Sequence, residues 1–210
     1  MRIAILLLIL SITTSCFGAD FEKYFPHLIK SEGVLFTVTQ YDRGGATKFG
    51  VTLSTYKMWC NSNLITIAEK PCDKDGNGKL NANDLRITTI DDVKPIYRKI
   101  YWDLVKADRI QNQAIAEIIV DMAINCGTGY RNQHIKAIQK FAGVKADGRI
   151  GEKTIAAINN SEPSKLYNYI FKYRKGFYQR LGQGSQRKFV RGWLNRIHNL
   201  KKIHQNEKLI

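Results

Sequence analysis

The segment Gln113 to Asn125 constrains this chain more than any other. Ala114-Ile115-Ala116 and Ile118-Ile119-Val120 are separated by the single charge of Glu117, and the segment is apolar almost all the way round. A helix of that kind has no face fit for water, so it must lie at the centre of a fold and be wrapped by other elements. Gly127-Thr128-Gly129 ends it. The available wrapping elements are also helices. Phe21 to Ser31 pairs Tyr24 with Leu28 and Phe25 with Ile29 at a spacing of four, the repeat of an amphipathic helix, in which Pro26 suits only the first turn. Asp91 to Val105 reads as one aromatic-rich helix with Pro95 near its start, and Pro163 to Leu181 as a longer basic one. His134 to Phe141 and Gly151 to Asn159 form a helix pair around the turn Gly143 to Gly148, and Phe189 to Lys201 closes the chain. A β element is expected only where Val34 to Tyr41, β-branched and aromatic, runs into the turn Asp42-Arg43-Gly44-Gly45. Thr52 or Ser54 then caps a helix running to Trp59. The expectation is a mainly α fold with a small β-hairpin.

Charge and cysteine use speak to compartment. Lys and Arg number 33 against 18 Asp and Glu, while 44% of residues are hydrophobic, so the chain can build a core and still carry a net charge of +15. Met1-Arg2 precedes the apolar stretch Ile3 to Ile12, followed by small residues up to Ala19, which is the layout of a secretory signal over residues 1–19. Lipidation at Cys16 and retention as an anchor are the competing readings. An exported cationic protein meets polyanions of the envelope, such as the peptidoglycan wall, rather than nucleic acid. No recognition motif for nucleic acid is legible. The expected location is periplasmic or secreted, with no stable membrane anchor after signal removal, and the expected state is a monomer. Cys60 and Cys72 flank a short polar stretch that a disulfide would close in an oxidising space, and Cys126 reads as a buried free thiol. The histidines are too scattered for a zinc site.

Asp73-Lys74-Asp75-Gly76-Asn77-Gly78-Lys79-Leu80-Asn81-Ala82-Asn83-Asp84 follows the pattern of an EF-hand loop. Asp73, Asp75 and Asn77 alternate oxygens toward one centre, Gly78 makes the sharp turn and Lys79 offers its carbonyl. Asp84 stands where a longer Glu is usual, so weaker binding is expected. A structural calcium ion is the implied cofactor, and a polar turn loop is the alternative.

Glu32 ends the first helix and is followed by Asp42 and Thr47 in the hairpin segment. Glycoside hydrolysis needs a protonated carboxyl to give its proton to the leaving oxygen, and a second group that assists water or stabilises the cationic sugar. On spacing alone, two carboxylates prove nothing. Ser31-Glu32-Gly33 with Asp42-Arg43-Gly44-Gly45-Ala46-Thr47-Lys48-Phe49-Gly50-Val51-Thr52, however, closely resembles the signature of the glycoside hydrolase family 108 muramidases. Ile96 to Trp102 looks like that family's Tyr-x-x-x-Tyr-Trp helix and Val120 to Gly127 like its Asp-x-Ala-x-Asn-x-Gly helix. Ala137 to Ala157 and Phe189 to Arg196 look like the associated peptidoglycan-binding segment.

The resemblance implies a lysozyme-like α+β fold and an exported N-acetylmuramidase acting on peptidoglycan. Its catalytic region would span 20–110, including the calcium-loop insert at about 60–86, with a helical, wall-binding region over 111–210. Carried over by position, Glu32 is the general acid, while Asp42 and Thr47 are the second carboxylate and the water-orienting hydroxyl. Burial against Phe36 or Trp102 is expected to keep Glu32 protonated. Tyr41, Tyr101, Trp102, Tyr130 and Trp193 are the candidates for stacking on sugar. Val34 departs from the family's second glycine and is expected to narrow the cleft or start the strand early. A lytic transglycosylase and a non-catalytic, calcium-dependent wall-binding protein are the rival readings.

Overall fold

The computed structural model describes residues 18–38, 45–62, 72–127 and 132–210. Helix α1 (Phe21–Glu32) is capped by Asp20, whose carboxylate accepts the Glu22 amide at 2.8 Å. Three short antiparallel strands follow, β1 (Thr37–Val38), β2 (Ala46–Lys48) and β3 (Val51–Thr52), in the order β1-β2-β3. Thr47 lies opposite Thr37 on one side and Thr52 on the other. Thr52 is then the cap of α2 (Leu53–Cys60). Helices α3 (Ala82–Ile87) and α4 (Ile90–Tyr97) each begin with a capping box, Asn81 with Asp84 and Thr89 with Asp92.

The second half holds α5 (Gln113–Cys126), α6 (Gln133–Phe141), α7 (Glu152–Asn160), α8 (Pro163–Leu181) and α9 (Arg187–Asn206). As its composition demands, α5 is the axis: residues Ala114 through Ala123 are all buried, and α8 and the aromatic turn after α4 pack against it. Asn112 caps it by accepting the Ile115 amide at 3.0 Å. The expected mainly α, lysozyme-like α+β architecture is the one found. No helix among the described residues is long and apolar enough to cross a membrane.

Two local expectations change. Pro26 sits inside α1 rather than in its first turn; the pyrrolidine is on the exposed side, and the missing backbone bond is outweighed by the buried face of Phe21, Tyr24, Phe25, Leu28 and Ile29. The helix expected over Asp91 to Val105 is α-helical only to Tyr97 and continues as a π-helical turn over Arg98–Trp102, where the Asp103 amide reaches the Arg98 carbonyl at 2.9 Å.

That turn drives Trp102 into the core. Its ring lies 5.4 Å from Phe21 and 5.9 Å from Tyr24, and its Nε1 donates to Asp108 at 2.7 Å. With 0% of its surface exposed, Trp102 has no face to offer a sugar, which corrects its assignment as a substrate contact. The ring is a packing residue whose one polar atom is satisfied. Trp102→Ala is expected to cost about 3–5 kcal/mol in urea unfolding, the range for emptying a large buried aromatic site. A loss below about 1 kcal/mol would mean that the ring is not the keystone of the α1 packing described here.

Cys60 and Cys72 are joined by a disulfide, and the Tyr56 hydroxyl donates to the Cys72 carbonyl at 2.8 Å, fastening the end of α2 to the loop that follows. Cys126 is a free thiol, partly rather than fully buried.

Candidate active site

Glu32 is the last residue of α1. Gly33, with φ of +79°, ends the helix in a backbone conformation that other residues adopt only with strain. The side chain is 16% exposed and is enclosed from two directions. From one comes the tip of the β2–β3 hairpin. Phe49 and Gly50 both have positive φ, as a two-residue hairpin turn requires, and Tyr97 donates its hydroxyl to the Phe49 carbonyl at 2.8 Å. A β-carbon placed on Gly50 would stand 2.4 Å from Glu32 Oε2 and 2.6 Å from the Tyr97 hydroxyl. Glycine is therefore required there twice, by the turn and by the carboxyl beneath it.

From the other direction comes α9. Arg196 Nη2 lies 2.8 Å from Glu32 Oε1 and 2.7 Å from Asp121 Oδ1, and the other Asp121 oxygen takes Arg174 Nη2 at 2.7 Å. Four alternating charges, from α1, α9, α5 and α8, thus run from the candidate acid into the core. Burial raises the Glu32 pKa, the Arg196 guanidinium opposes this, and the Asp121 charge adds to the rise; the net direction is up. Asp121 goes the other way. Burial works against its charge, but Arg196 and Arg174 together hold it down at about 2. Two carboxyls in one chain of contacts are thus driven apart, one toward the acid form and one firmly ionised.

Tyr101 is partly buried, its ring 5.9 Å from that of Tyr97, and its hydroxyl pKa is raised by burial and then by the charge of Glu32. Thr47 stands on β2, partly buried, three residues before Gly50. Asp42, Tyr41 and Tyr130 lie outside the described residues. Trp193, on α9, stacks on Tyr178. Val34 is 56% exposed and strand β1 begins only at Thr37, so its side chain points to water. Phe36 packs under the guanidinium of Arg86.

Sequence reasoning did not find Arg196, Asp121 or the contact at Gly50. Gly50 was visible within the hairpin motif, but nothing in its spacing says that it touches a carboxyl. Arg196 comes from the far end of the chain, where it is one basic residue among many.

In the Asp73 to Asp84 loop, carboxylate oxygens of Asp73, Asp75 and Asp84 lie within 4.8 Å of one another. Asp73 accepts the Gly78 and Asn77 amides at 2.7 and 3.1 Å, and Asn77 accepts the Lys79 amide at 2.9 Å, which winds the loop around these oxygens. Asp84 is buried. Burial resists its ionisation, but the backbone amides of Asn81, Lys74 and Asp75 together keep its pKa low. Each carboxylate oxygen has a second lone pair, so these amides leave room for a cation. The loop is also wired to the hairpin: it runs into α3, and Lys48 on β2 donates to the carbonyls of Arg86 and Thr88, the latter at 2.7 Å.

A buried carboxyl with a raised pKa at a helix end, covered by the tip of a small hairpin, defines the class: a lysozyme-like glycosidase. Residues 25–127 match the model described as glycosyl hydrolase 108, and residues 133–198 match the model described as a predicted peptidoglycan domain. The protein is thus a glycoside hydrolase acting on peptidoglycan. Among solved structures it is similar to that titled "Structure of Brucella abortus SagA", at 27% identity and a TM-score of 0.67, over 89% of this chain and 94% of that one. No curated protein matches the chain.

If Arg196 is what restrains the Glu32 proton, Arg196→Gln will raise the titration midpoint of the Glu32 carboxyl, followed by carbon NMR, above its already elevated wild-type position. A midpoint that falls or stays put in the folded variant would show that the guanidinium does not act on that proton.

Proposed function

We propose that the protein is an exported N-acetylmuramidase that hydrolyses the bond between N-acetylmuramic acid and N-acetylglucosamine, with Glu32 as general acid. The observation that carries this reading is the Glu32 carboxyl, buried under the hairpin tip with its pKa raised. A general acid must hold its proton near working pH and release it as the leaving oxygen gains charge. Burial moves the carboxyl toward the first property, since desolvation raises its pKa. Arg196 supplies the second, because a guanidinium 2.8 Å away stabilises the carboxylate that remains after transfer.

Asp42 and Thr47 complete the reaction in this reading, Asp42 as the ionised partner of the oxocarbenium-like transition state and Thr47 as the hydroxyl that orients water. Their support is the match of both positions to the family's hairpin motif. Tyr41, Tyr101 and Tyr130 are the proposed sugar contacts; Tyr101 is supported by its ring contact with Tyr97, whose hydroxyl lies at Gly50 with Glu32. Export rests on the signal-like segment at residues 1–19 and fits a wall substrate that lies outside the cytoplasm. The protein is proposed to work as a monomer, in the periplasm or outside the cell.

Mass spectrometry of fragments from purified peptidoglycan, wild type beside Glu32→Gln, tests the assignment. Hydrolysed products ending in reducing muramic acid are expected from the wild type, with at least a hundredfold loss in the variant. Products lighter by one water would make the protein a lytic transglycosylase. Wall binding with no fragments would make it a binding protein.

Calcium is proposed as a structural ion held by Asp73, Asp75, Asn77, the Lys79 carbonyl and Asp84. The ion would neutralise the carboxylates that converge in the loop, and through α3 and Lys48 it would steady the strand that carries Thr47. Thermal unfolding with calcium against EDTA is expected to show stabilisation of about 2–3 kcal/mol at a hundredfold excess over Kd, absent in Asp73→Ala. Equal melting under both conditions removes the ion from this account.

A further inference from the structure

Helix α9 presents an exposed polar stripe in which Arg187, Arg191, Asn195, Asn199, Lys202 and Asn206 recur every three or four residues. Two cavities open along it and meet at Asn195. One, of about 730 Å³, lies between the ends of α8 and α9 and is lined by Arg187, Arg191 and His198. The other, of about 440 Å³, lies between α1 and α9, with Lys30 and Ser31 on one wall and Arg196, Asn199 and Lys202 on the other. The second cavity shares Arg196 with Glu32, and Ser31 is the residue before the acid.

The charges in this second cavity are unequal in kind. Arg196 is committed to Glu32 and Asp121, and His27 faces Glu117 at 3.7 Å and Glu207 at 3.2 Å. Lys30 and Lys202 are exposed, and among the described residues no carboxylate pairs with either. The amide side chains of Asn195, Asn199 and Asn206 add donors and acceptors of the kind that peptide groups engage.

Two unpaired ammonium groups have no partner in a glycan of N-acetylated sugars, which is uncharged. The carboxylates of peptidoglycan belong to the peptide stems that hang from it. We infer that the cavity between α1 and α9 receives the acidic stem peptide of the strand held at Glu32, with Lys30 and Lys202 binding its carboxylates and the asparagines its peptide groups. This rests on the muramidase reading and adds a peptide specificity to it. Lys30 and Lys202 both lie outside the matched peptidoglycan-domain region, while Asn195 and Arg196 of the same cavity lie within it, so the contact extends that region onto α1 and the end of α9.

Binding is tested apart from turnover. A soluble stem peptide with free carboxylates is titrated into Glu32→Gln protein, with and without Lys30→Glu and Lys202→Glu; Lys30→Gln with Lys202→Gln serves as the milder pair. The affinity is expected to fall on the order of tenfold or more with the lysine changes, and resonances of α1 and α9 are expected to shift. In turnover, the lysine variants should raise KM on intact peptidoglycan but not on glycan strands stripped of their peptides. Unchanged peptide affinity, or equal loss on both substrates, overturns the inference. Lysine-dependent peptide binding by a protein that cuts neither substrate would uphold the pocket and overturn the muramidase reading instead.

Discussion

The buried chain of charges Glu32–Arg196–Asp121–Arg174 is the interaction on which the rest of this structure depends. Arg174 is 0% exposed and Asp121 only 3%, so neither charge has water to fall back on. Removing charges from water is expensive, and the cost is recovered only when each finds its opposite in good geometry. Here the four groups come from α1, α9, α5 and α8, so their ion pairing ties four helices together at once. The candidate acid is the last member and the least buried. It therefore inherits its placement from a network whose two innermost members, Asp121 and Arg174, are buried in the core.

A second buried network reinforces the same arrangement. His204 on α9 bridges Glu117 on α5 and the Tyr167 hydroxyl on α8, each at 2.8 Å, and Gln113 donates to the other Glu117 oxygen at 2.7 Å. This explains the second buried acid of the most apolar segment of the chain, beside Asp121. Glu117 is not a flaw in a hydrophobic helix but the point at which α9 is fastened to it. The closing helix is thereby held at two levels along α5, and the upper one delivers Arg196 to Glu32.

The hairpin side is built by different means. Short strands cannot hold themselves in place in water, so the hairpin is anchored by its neighbours. Tyr97 grips the Phe49 carbonyl and Lys48 binds the carbonyls after α3. The disulfide and the Asp73 to Asp84 loop lie just outside these anchors. An insertion that looks peripheral in the sequence is thus connected, bond by bond, to the strand that crosses the candidate cleft.

Local order was legible from residues because it depends on near neighbours. The apolar α5, the cap at Thr52, the bounds of α8, the Cys60–Cys72 pairing and the small hairpin follow from periodicity, capping chemistry and short spacings. Glu32 was legible for a related reason, since the hairpin motif that marks it is contiguous. What depended on distant contacts was not. Trp102 belongs to the same aromatic helix as Tyr101, and only the π-helical turn and the packing of α1 decide that one ring is sealed in the core while the other stays partly exposed against Tyr97. Arg196 looks like any other cation of a basic helix until the fold brings α9 against α1. Sequence alone thus determined which elements form and which carboxyl is the candidate acid. Tertiary structure decided which charges are buried together, because pairing across the whole chain is what makes burial of those charges affordable.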